Sequence, residues 1–170
     1  MQFHFEIVNS KFGKFYILDS RQGLHFLLKN NDKRVKALIK SYNPIKGLFN
    51  KNIIKVFQSN ILGNKIALKL KIKFLECSEF QKIVWKELLK IKQGTTIFYS
   101  EIANLTSYPK ANRAVASAVG KNPISVIVPC HRVIKKNGFI GGYAWGVKMK
   151  RGLLDVEVSG MADSIYRGGK

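Results

Sequence analysis

Residues 113–133 read RAVASAVGKNPISVIVPCHRV, and this stretch constrains how the second half of the chain can fold. Apolar residues recur through its first part at helical spacing, which predicts a helix with one buried stripe: Ala111, Ala114, Val115, Ala118 and Val119. The opposite face carries one long cation, Arg113, beside three small residues, Ala116, Ser117 and Gly120. Small side chains let a helix approach another surface closely, so we expect a close neighbour on this face, either a DNA groove or a second helix.

The second part of the stretch predicts a buried strand that leads to a cysteine. The apolar run ISVIV at 124–128 is typical of a strand buried on both faces, and it ends at Pro129. Cys130 and His131 follow in a basic region, which favours a reactive thiolate. Neighbouring residues of an extended chain point to opposite faces, so the two side chains could interact only through a bend or a water. A small buried apolar cysteine is the alternative interpretation.

Residues 75–157 before and around this stretch predict a mainly helical unit. Ser78 and Gln81 have the spacing of a capping box, and a helix should follow as far as Gln93. A short helix fits residues 100–105 with Ser100 as its N-cap, and Pro109 suits the first position of the helix that contains Arg113. Two helices joined by a tight turn form a candidate helix-turn-helix unit.

Residues 1–74 predict a sheet with a helix. Three apolar segments read FHFEIV, KFYIL and LHFLL, with turns at Gly13 and Gly23, which indicates an antiparallel meander. Asp32 should cap a helix through Lys40, and residues 48–64 are ambiguous with some helical spacing. Residues 66–75 alternate as a strand with lysines facing water. We expect an α+β fold with an N-terminal domain over 1–74, a winged-helix-like C-terminal domain over 75–157 and a flexible tail over 158–170.

The charge of the chain indicates a polyanionic partner. Thirty basic residues against ten acidic ones give a net charge of +20, and no acidic residue lies between Glu101 and Asp155. The commonest target of such an excess of positive charge is a nucleic-acid backbone. The alternative is a lysine-rich surface that serves solubility.

The composition also argues against other classes of protein. The sequence lacks a membrane-span pattern and a signal-peptide pattern, which predicts a cytoplasmic protein. Cys77 and Cys130 are too few for a disulfide scaffold, and the three histidines show no zinc-ligand spacing. We therefore expect neither a metal nor an organic cofactor, and we expect Cys77 to be structural.

The ordered motifs resemble the O6-alkylguanine-DNA alkyltransferase family. PCHRV at 129–133 is preceded by NP at 122–123 and followed by GFIGGYAWG at 138–146. EFQKIVWKELLKIKQGTTIFYSEIA at 79–103 is similar to the segment that leads into the family's DNA-binding unit. The likeness is close over 75–157 and loose over 1–74.

This resemblance implies a single-turnover transfer of an alkyl group to Cys130. Cys130 would attack the alkyl carbon on guanine O6 and retain the group as a thioether, which consumes the protein. His131 would act as a base on the thiol through a water, with Glu157 orienting it. Asn122 would tie the turn after the helix to the site, and Tyr99 would donate a hydrogen bond to the flipped base.

The resemblance also implies how the substrate is held. The partner would be double-stranded DNA carrying O6-alkylguanine, bound by a monomer through the minor groove. Arg113 would fill the space of the flipped base. The other predicted DNA contacts are Ala116, Ser117, Gly120, Lys110 and Lys121, and the predicted pocket residues are Val133, Gly141, Tyr143 and Ala144. The family often has serine at the position of Ala144, so a hydroxyl contact would be lost here, whereas a backbone N–H contact would survive.

Two other functions remain open from the residues. A non-catalytic DNA-binding relative is disfavoured because such proteins lack the acceptor cysteine, which is present here. A cysteine hydrolase or thiol redox enzyme would turn over many substrate molecules for each protein.

Overall fold

A mixed four-stranded sheet opens the chain. The computed structural model describes residues 1–64 and 68–158. The meander consists of β1 (Phe3–Ser10), β2 (Gly13–Ser20) and β3 (Gly23–Lys29), and β4 (Ile45–Lys46) pairs parallel to β1, which gives the order β3-β2-β1-β4. The three predicted strands are confirmed. Gly13 has a φ of +101°, a backbone conformation that favours glycine, at the turn between β1 and β2.

Both faces of this sheet are covered. One face packs on helix α1 (Lys33–Tyr42), where Tyr16 and Leu18 of β2 meet Val35 and Leu38. The alternate residues of the same strand, Phe15 and Ile17, belong to the main core. Asp32 caps α1 as predicted by accepting a hydrogen bond from the Arg34 backbone N–H at 2.9 Å.

The segment after the sheet differs in part from the prediction. Residues 48–64, ambiguous in the sequence, contain helix α2 (Asn52–Ile61). The strand predicted over 66–75 lies partly outside the described residues, and over 68–75 it makes only an isolated bridge between Ile72 and Leu24. A β-carbon on Gly23 would lie 2.4 Å from the Lys71 carbonyl oxygen, so the backbones meet closely at this bridge. The exposed, alternating lysines of the prediction are present as Lys69, Lys71 and Lys73.

Helices predominate in the second half of the chain. The elements are α3 (Glu79–Leu88), β5 (Ile97–Phe98), α4 (Tyr99–Leu105), α5 (Asn112–Gly120), a 3-10 helix (Cys130–Arg132), β6 (Val133–Ile134) and α6 (Val147–Val158). The capping box at the start of α3 is present, with Ser78 and Gln81 bonded reciprocally. Strands β5 and β6 pair in parallel. Helices α4 and α5 pack on each other and on α3, so the helix-turn-helix arrangement is present.

Three details of these helices correct the sequence analysis. The N-cap of α4 is Phe98 and not Ser100, because the Glu101 carboxylate accepts a hydrogen bond from the Phe98 N–H at 2.7 Å. Pro109 lies in the turn before α5, three residues ahead of its first residue. Ala114 is exposed although it was predicted to be buried, since the buried stripe of α5 is narrower than predicted. The small alanine side chain carries little information about which face is buried.

The main core spans both predicted domains. Phe15 and Phe57 from the first half pack in one cluster with Val84 and Val115 from the second half. The domain boundary at residue 74 stays a prediction. The predicted tail begins at Val158, the last residue of α6, and its remaining residues lie outside those described. Within the described ranges, the structure holds no helix long and apolar enough to cross a membrane.

Candidate active site around Cys130

The segment predicted as a buried strand is a folded loop. Residues 124–128 form single bridges and a turn, and Val126 has a φ of +71°. The side chain of Asn122 closes this loop, since its Nδ2 donates to the Val128 carbonyl at 2.8 Å and its Oδ1 accepts from the Ile124 N–H at 3.0 Å. The predicted burial is correct because apolar side chains of the loop fill the core. The loop delivers the chain to Cys130 at a fixed position.

Cys130 lies at the start of the 3-10 helix and faces a cavity of about 290 Å³. Its side chain is only slightly accessible, with 5% of the residue exposed. The backbone N–H of Cys130 donates to the Val128 carbonyl at 2.8 Å, so the bend that the sequence required at Pro129 is formed. The thiol is buried and still reachable through the cavity.

The cavity brings together residues from four separate parts of the chain. Its predicted members are Tyr99, Ala116, Gly120, Asn122, Cys130, Tyr143 and Ala144. Three other residues line it: Gly142 of the predicted GFIGGYAWG segment, and Val119 and Ser125, which were not predicted as wall residues. Two predicted pocket residues lie beside it. The Val133 side chain is fully buried in the core, and the backbone of Gly141 approaches Tyr99 and Lys150.

His131 belongs to a buried network on the other side of the 3-10 helix. Its Nε2 lies 2.8 Å from Oε1 of Glu157 in α6. The same carboxylate accepts hydrogen bonds from Arg132, at 2.8 Å from Nη2, and from the Gly94 N–H at 3.1 Å. Arg132 also donates to the Ile91 carbonyl at 2.6 Å. Glu157 therefore holds the 3-10 helix against α6 and the end of α3.

The protonation of this network follows from burial and charge. Burial favours a neutral Glu157, but hydrogen bonds and charge from His131 and Arg132 outweigh it and lower the pKa of Glu157 to about 2. Burial lowers the pKa of His131, against the opposing effect of Glu157. At neutral pH a neutral imidazole thus faces an ionised carboxylate, which can only accept a hydrogen bond. The proton therefore lies on Nε2, and Nδ1 is the free base.

That free base has no partner among the residues that the structure describes. Nδ1 of His131 is buried, and no described residue forms a hydrogen bond with it. A buried acceptor of this kind is normally satisfied, and a water is the simplest partner that could satisfy it. An interaction of His131 with Cys130 through a water stays a prediction.

The environment of the thiol contains a buried cation, Lys150, which in the sequence is one of the basic residues between Glu101 and Asp155. Lys150 of α6 is fully buried, and its Nζ donates to the Val133 carbonyl at 2.6 Å. Burial lowers the pKa of Lys150 to about 8. Burial raises the pKa of the Cys130 thiol, while Asn122 and the charge of Lys150 act in the opposite direction. The resting cysteine is therefore a thiol with groups beside it that favour its thiolate.

The exposed face of α5 borders the mouth of the cavity. Arg113, Ala116, Ser117 and Gly120 are exposed, as the spacing predicted. Lys110 and Lys121 are exposed just before and just after this helix. Trp85 fixes the opposite face by donating its indole N–H to the Ala118 carbonyl at 2.8 Å. The close neighbour expected on the small-residue face is therefore not α3.

No metal centre is formed within residues 1–64 and 68–158, because no three His, Cys, Asp or Glu side chains cluster there. Cys77 is half-buried in the structure, and burial raises its pKa.

Comparison with known proteins agrees with this geometry. Residues 79–159 match the family model described as 6-O-methylguanine DNA methyltransferase, DNA binding domain. A methylated-DNA–protein-cysteine methyltransferase of Methanosarcina mazei is 38% identical over 154 residues, which cover 91% of this chain and 96% of the relative. The Kluyveromyces lactis protein of the same name is 37% identical over 137 residues, covering 73% of this chain and 72% of that protein.

Solved structures agree as well. The crystal structure of Mycobacterium tuberculosis OGT in complex with DNA superposes with a TM-score of 0.81 at 30% identity, over 92% of this chain and 93% of that one. These likenesses extend over both halves of the molecule and include the segment that forms the Cys130 cavity. The chain belongs to the family of methylated-DNA–protein-cysteine methyltransferases.

Proposed function

We propose that the protein repairs duplex DNA by moving an alkyl group from guanine O6 to Cys130 in a single, irreversible step. The observation that carries this proposal is the cavity of about 290 Å³, which places the buried thiol beside Tyr99 and next to the exposed face of α5. A cavity at the small end of the range for ligand pockets, roughly 300 to 1,000 Å³, suits one planar base.

The base must leave the duplex to reach this thiol. Cys130 is buried at the floor of its cavity, and a base in a stacked duplex cannot enter it. The small side chains of Ala116, Ser117 and Gly120 let α5 lie close to the minor groove, and exposed Arg113 fills the stack from which the base is flipped. Lys110 and Lys121 supply phosphate contacts, so binding should be weakly sequence-specific and salt-sensitive.

The chemistry begins at His131. Its Nδ1 accepts the thiol proton through a bridging water, and Glu157 stabilises the resulting imidazolium. The charge of Lys150 favours the thiolate. The thiolate sulfur attacks the alkyl carbon, so a C–S bond forms while the bond from carbon to guanine O6 breaks.

The leaving guanine receives the electron pair of the broken bond. Tyr99, which lines the cavity, donates a hydrogen bond to the departing base. The proton that His131 took from the thiol returns through the water to the leaving guanine, which is therefore released as a neutral base. The products are guanine in DNA and S-alkylcysteine in the protein. A thioether is stable in water, so no second step regenerates Cys130, and one protein molecule repairs one lesion as a monomer.

Intact-protein mass spectrometry tests this proposal. The protein is mixed with a duplex that carries one O6-methylguanine, and we expect a mass gain of one CH2 unit, located on Cys130, with one equivalent transferred at saturation. The two-cysteine sequence offers a matched pair of variants. Cys130→Ala should bind DNA without gaining mass, whereas Cys77→Ala should behave as the wild type.

Transfer to Cys77, or a wild-type mass that stays unchanged, would contradict the proposal. Repeated turnover of an ester or a peroxide would point instead to a hydrolase or thiol redox enzyme.

A further inference from the structure

A larger cavity adjoins the Cys130 cavity at the outer surface. It has a volume of about 690 Å³ and is lined by Lys29, Asn31, Asp32, Lys33, Arg34, Gly120, Lys121, Ala144 and Trp145. We call it the basic groove. Gly120 and Ala144 line both cavities, so the groove and the mouth of the active site share a rim.

Three lysines give the basic groove its charge. Lys29 and Lys33 come from the first half of the chain, and Lys121 directly follows α5. Among residues 1–64 and 68–158, none of the three lysines takes part in an ion pair. Their charges are therefore available to a partner.

Asp32 is the single acid among the described residues that line the groove, and its charge is already neutralised. The Asp32 carboxylate accepts hydrogen bonds from Arg34 at 2.9 Å and 2.8 Å and from the Trp145 indole N–H at 3.3 Å. Burial acts to raise the pKa of Asp32, but the bonds and charge of Arg34 outweigh it and hold that pKa below its ordinary value. The charges of Asp32 and Arg34 therefore cancel, and the three lysines give the groove its positive charge.

Arg34 also fixes the groove relative to the active site. Its Nη1 lies 3.4 Å from the carbonyl oxygens of both Lys121 and Asn122. Asn122 closes the loop that carries Cys130, so the start of α1 is tied to the same turn as the thiol. The groove is a preformed surface built from both halves of the molecule.

We propose that the basic groove binds the phosphate backbone of the DNA strand beside the nucleotide that enters the Cys130 cavity. This inference rests on the proposed function and adds the N-terminal half of the chain to the DNA-binding surface. The shared rim makes the groove a continuation of the exposed face of α5. Unpaired lysines on a rigid wall are suited to phosphate oxygens, which lose bound counterions when they are neutralised.

Salt-dependent binding to an unmodified duplex tests the groove. The variant Lys29→Gln/Lys33→Gln removes two of its charges. Its control, Lys51→Gln/Lys71→Gln, makes the same change in a separate cavity of about 490 Å³ that shares no residue with either the groove or the Cys130 cavity.

Each phosphate contact contributes about 0.9 to the slope of log K against log salt. We expect the groove variant to lose about 1.8 from this slope, with affinity near 0.1 M salt lower by about tenfold or more. The control should change little. Equal changes in both variants, or an unchanged slope in the groove variant, would overturn the proposal.

Methyl transfer from the free base O6-methylguanine separates the groove from the chemistry. Both double variants should methylate Cys130 from the free base at the wild-type rate, since no phosphate is involved. If the wild type takes no methyl group from a duplex that carries O6-methylguanine, the proposed function fails, while salt-dependent binding to an unmodified duplex still decides the groove. If the double variant unfolds, the single variants Lys29→Gln and Lys33→Gln decide it, each with an expected slope loss of about 0.9.

Discussion

Replacing Glu157 by glutamine should destabilise the protein in a strongly pH-dependent way. In the wild type the carboxylate meets buried Arg132 at 2.8 Å and His131 at 2.8 Å. Glutamine keeps the shape but removes the charge, which leaves Arg132 buried without a counterion. Breaking a buried ion pair by removing one partner costs about 3 to 5 kcal/mol.

The pKa of Glu157 gives a second value for the contribution of its carboxylate to the free energy of unfolding. The folded protein lowers this pKa from 4.5 to about 2. One pKa unit corresponds to about 1.4 kcal/mol, so the ionised carboxylate stabilises the fold by about 3 kcal/mol. Because the folded pKa is the lower one, this stabilisation is complete above about pH 4.5 and is lost as the pH falls toward 2.

Denaturant unfolding of wild type and Glu157→Gln, at pH values from 7 down to 2, measures the effect. The difference in free energy of unfolding should be about 3 to 5 kcal/mol at pH 7 and should shrink by about 3 kcal/mol at pH 2, because protonated Glu157 then resembles glutamine. Comparing the two proteins at each pH removes the effect of the remaining carboxylates. Glu79→Gln, which alters an exposed pair with Lys82, should change stability little at any pH.

A difference that is large but independent of pH would refute this reasoning, since the loss would then come from packing and not from charge. The same variant should transfer methyl groups more slowly at neutral pH. Glutamine can donate to His131 as well as accept from it, so Nδ1 is no longer fixed as the free base.

Two further predictions concern α5 and α6. Gly120→Ala should stabilise the fold by up to about 1 kcal/mol in thermal or denaturant unfolding, because an added β-carbon meets no atom within 4 Å and alanine favours helices. The added methyl group projects from the exposed face of α5, so the same variant should bind a DNA duplex more weakly in a titration. An unchanged affinity would show that DNA does not contact this face. Lys150→Met should be more stable than wild type at pH 7. The folded pKa of Lys150, about 8, lies below the ordinary 10.5, so wild-type stability rises as this lysine loses its proton. The difference in free energy of unfolding between the two proteins, which we call the gap, should therefore shrink by about 3 kcal/mol between pH 8 and 10.5. A gap that stays constant across this range would show that folding does not lower the pKa of Lys150.

Local signals in the sequence were enough for many elements of the fold. The meander follows from alternating apolar residues and a turn at Gly13, and α1 and α3 follow from the caps at Asp32 and Ser78. Strands β4 and β5 contain two residues each, which is too short for any periodicity to appear. Their partners are fixed by packing that a single sequence does not reveal.

The loop 124–128 illustrates a different limit. A run of five mostly apolar residues correctly indicates burial, but burial fits a strand and a folded loop equally well. The Asn122 side chain decides between them, because it bonds both ends of the loop and takes over hydrogen bonds that a neighbouring strand would otherwise supply. The family resemblance indicated that Asn122 belongs to the site, whereas the periodicity of apolar residues gave no such indication.

The cations of the site were the hardest residues to interpret because net charge does not tell where a charge lies. Arg132 and Lys150 contributed to the basic segment in the sequence analysis, yet both are buried. A usable signal existed in α6, where Lys150, Leu153, Leu154 and Glu157 have the spacing of one helix face, which places two ionisable residues on an apolar stripe.

A charge on such a stripe must have a buried partner. Glu157 pairs with Arg132 and His131, and Lys150 donates to the Val133 carbonyl beside the thiol. Water screens a surface lysine from Cys130, whereas Lys150 acts through protein, where the effective dielectric constant is lower. One buried cation can therefore do more to favour the thiolate than several exposed ones. In the proposed function the exposed cations bind DNA, so the basic residues of this segment would divide between chemistry and binding according to their burial.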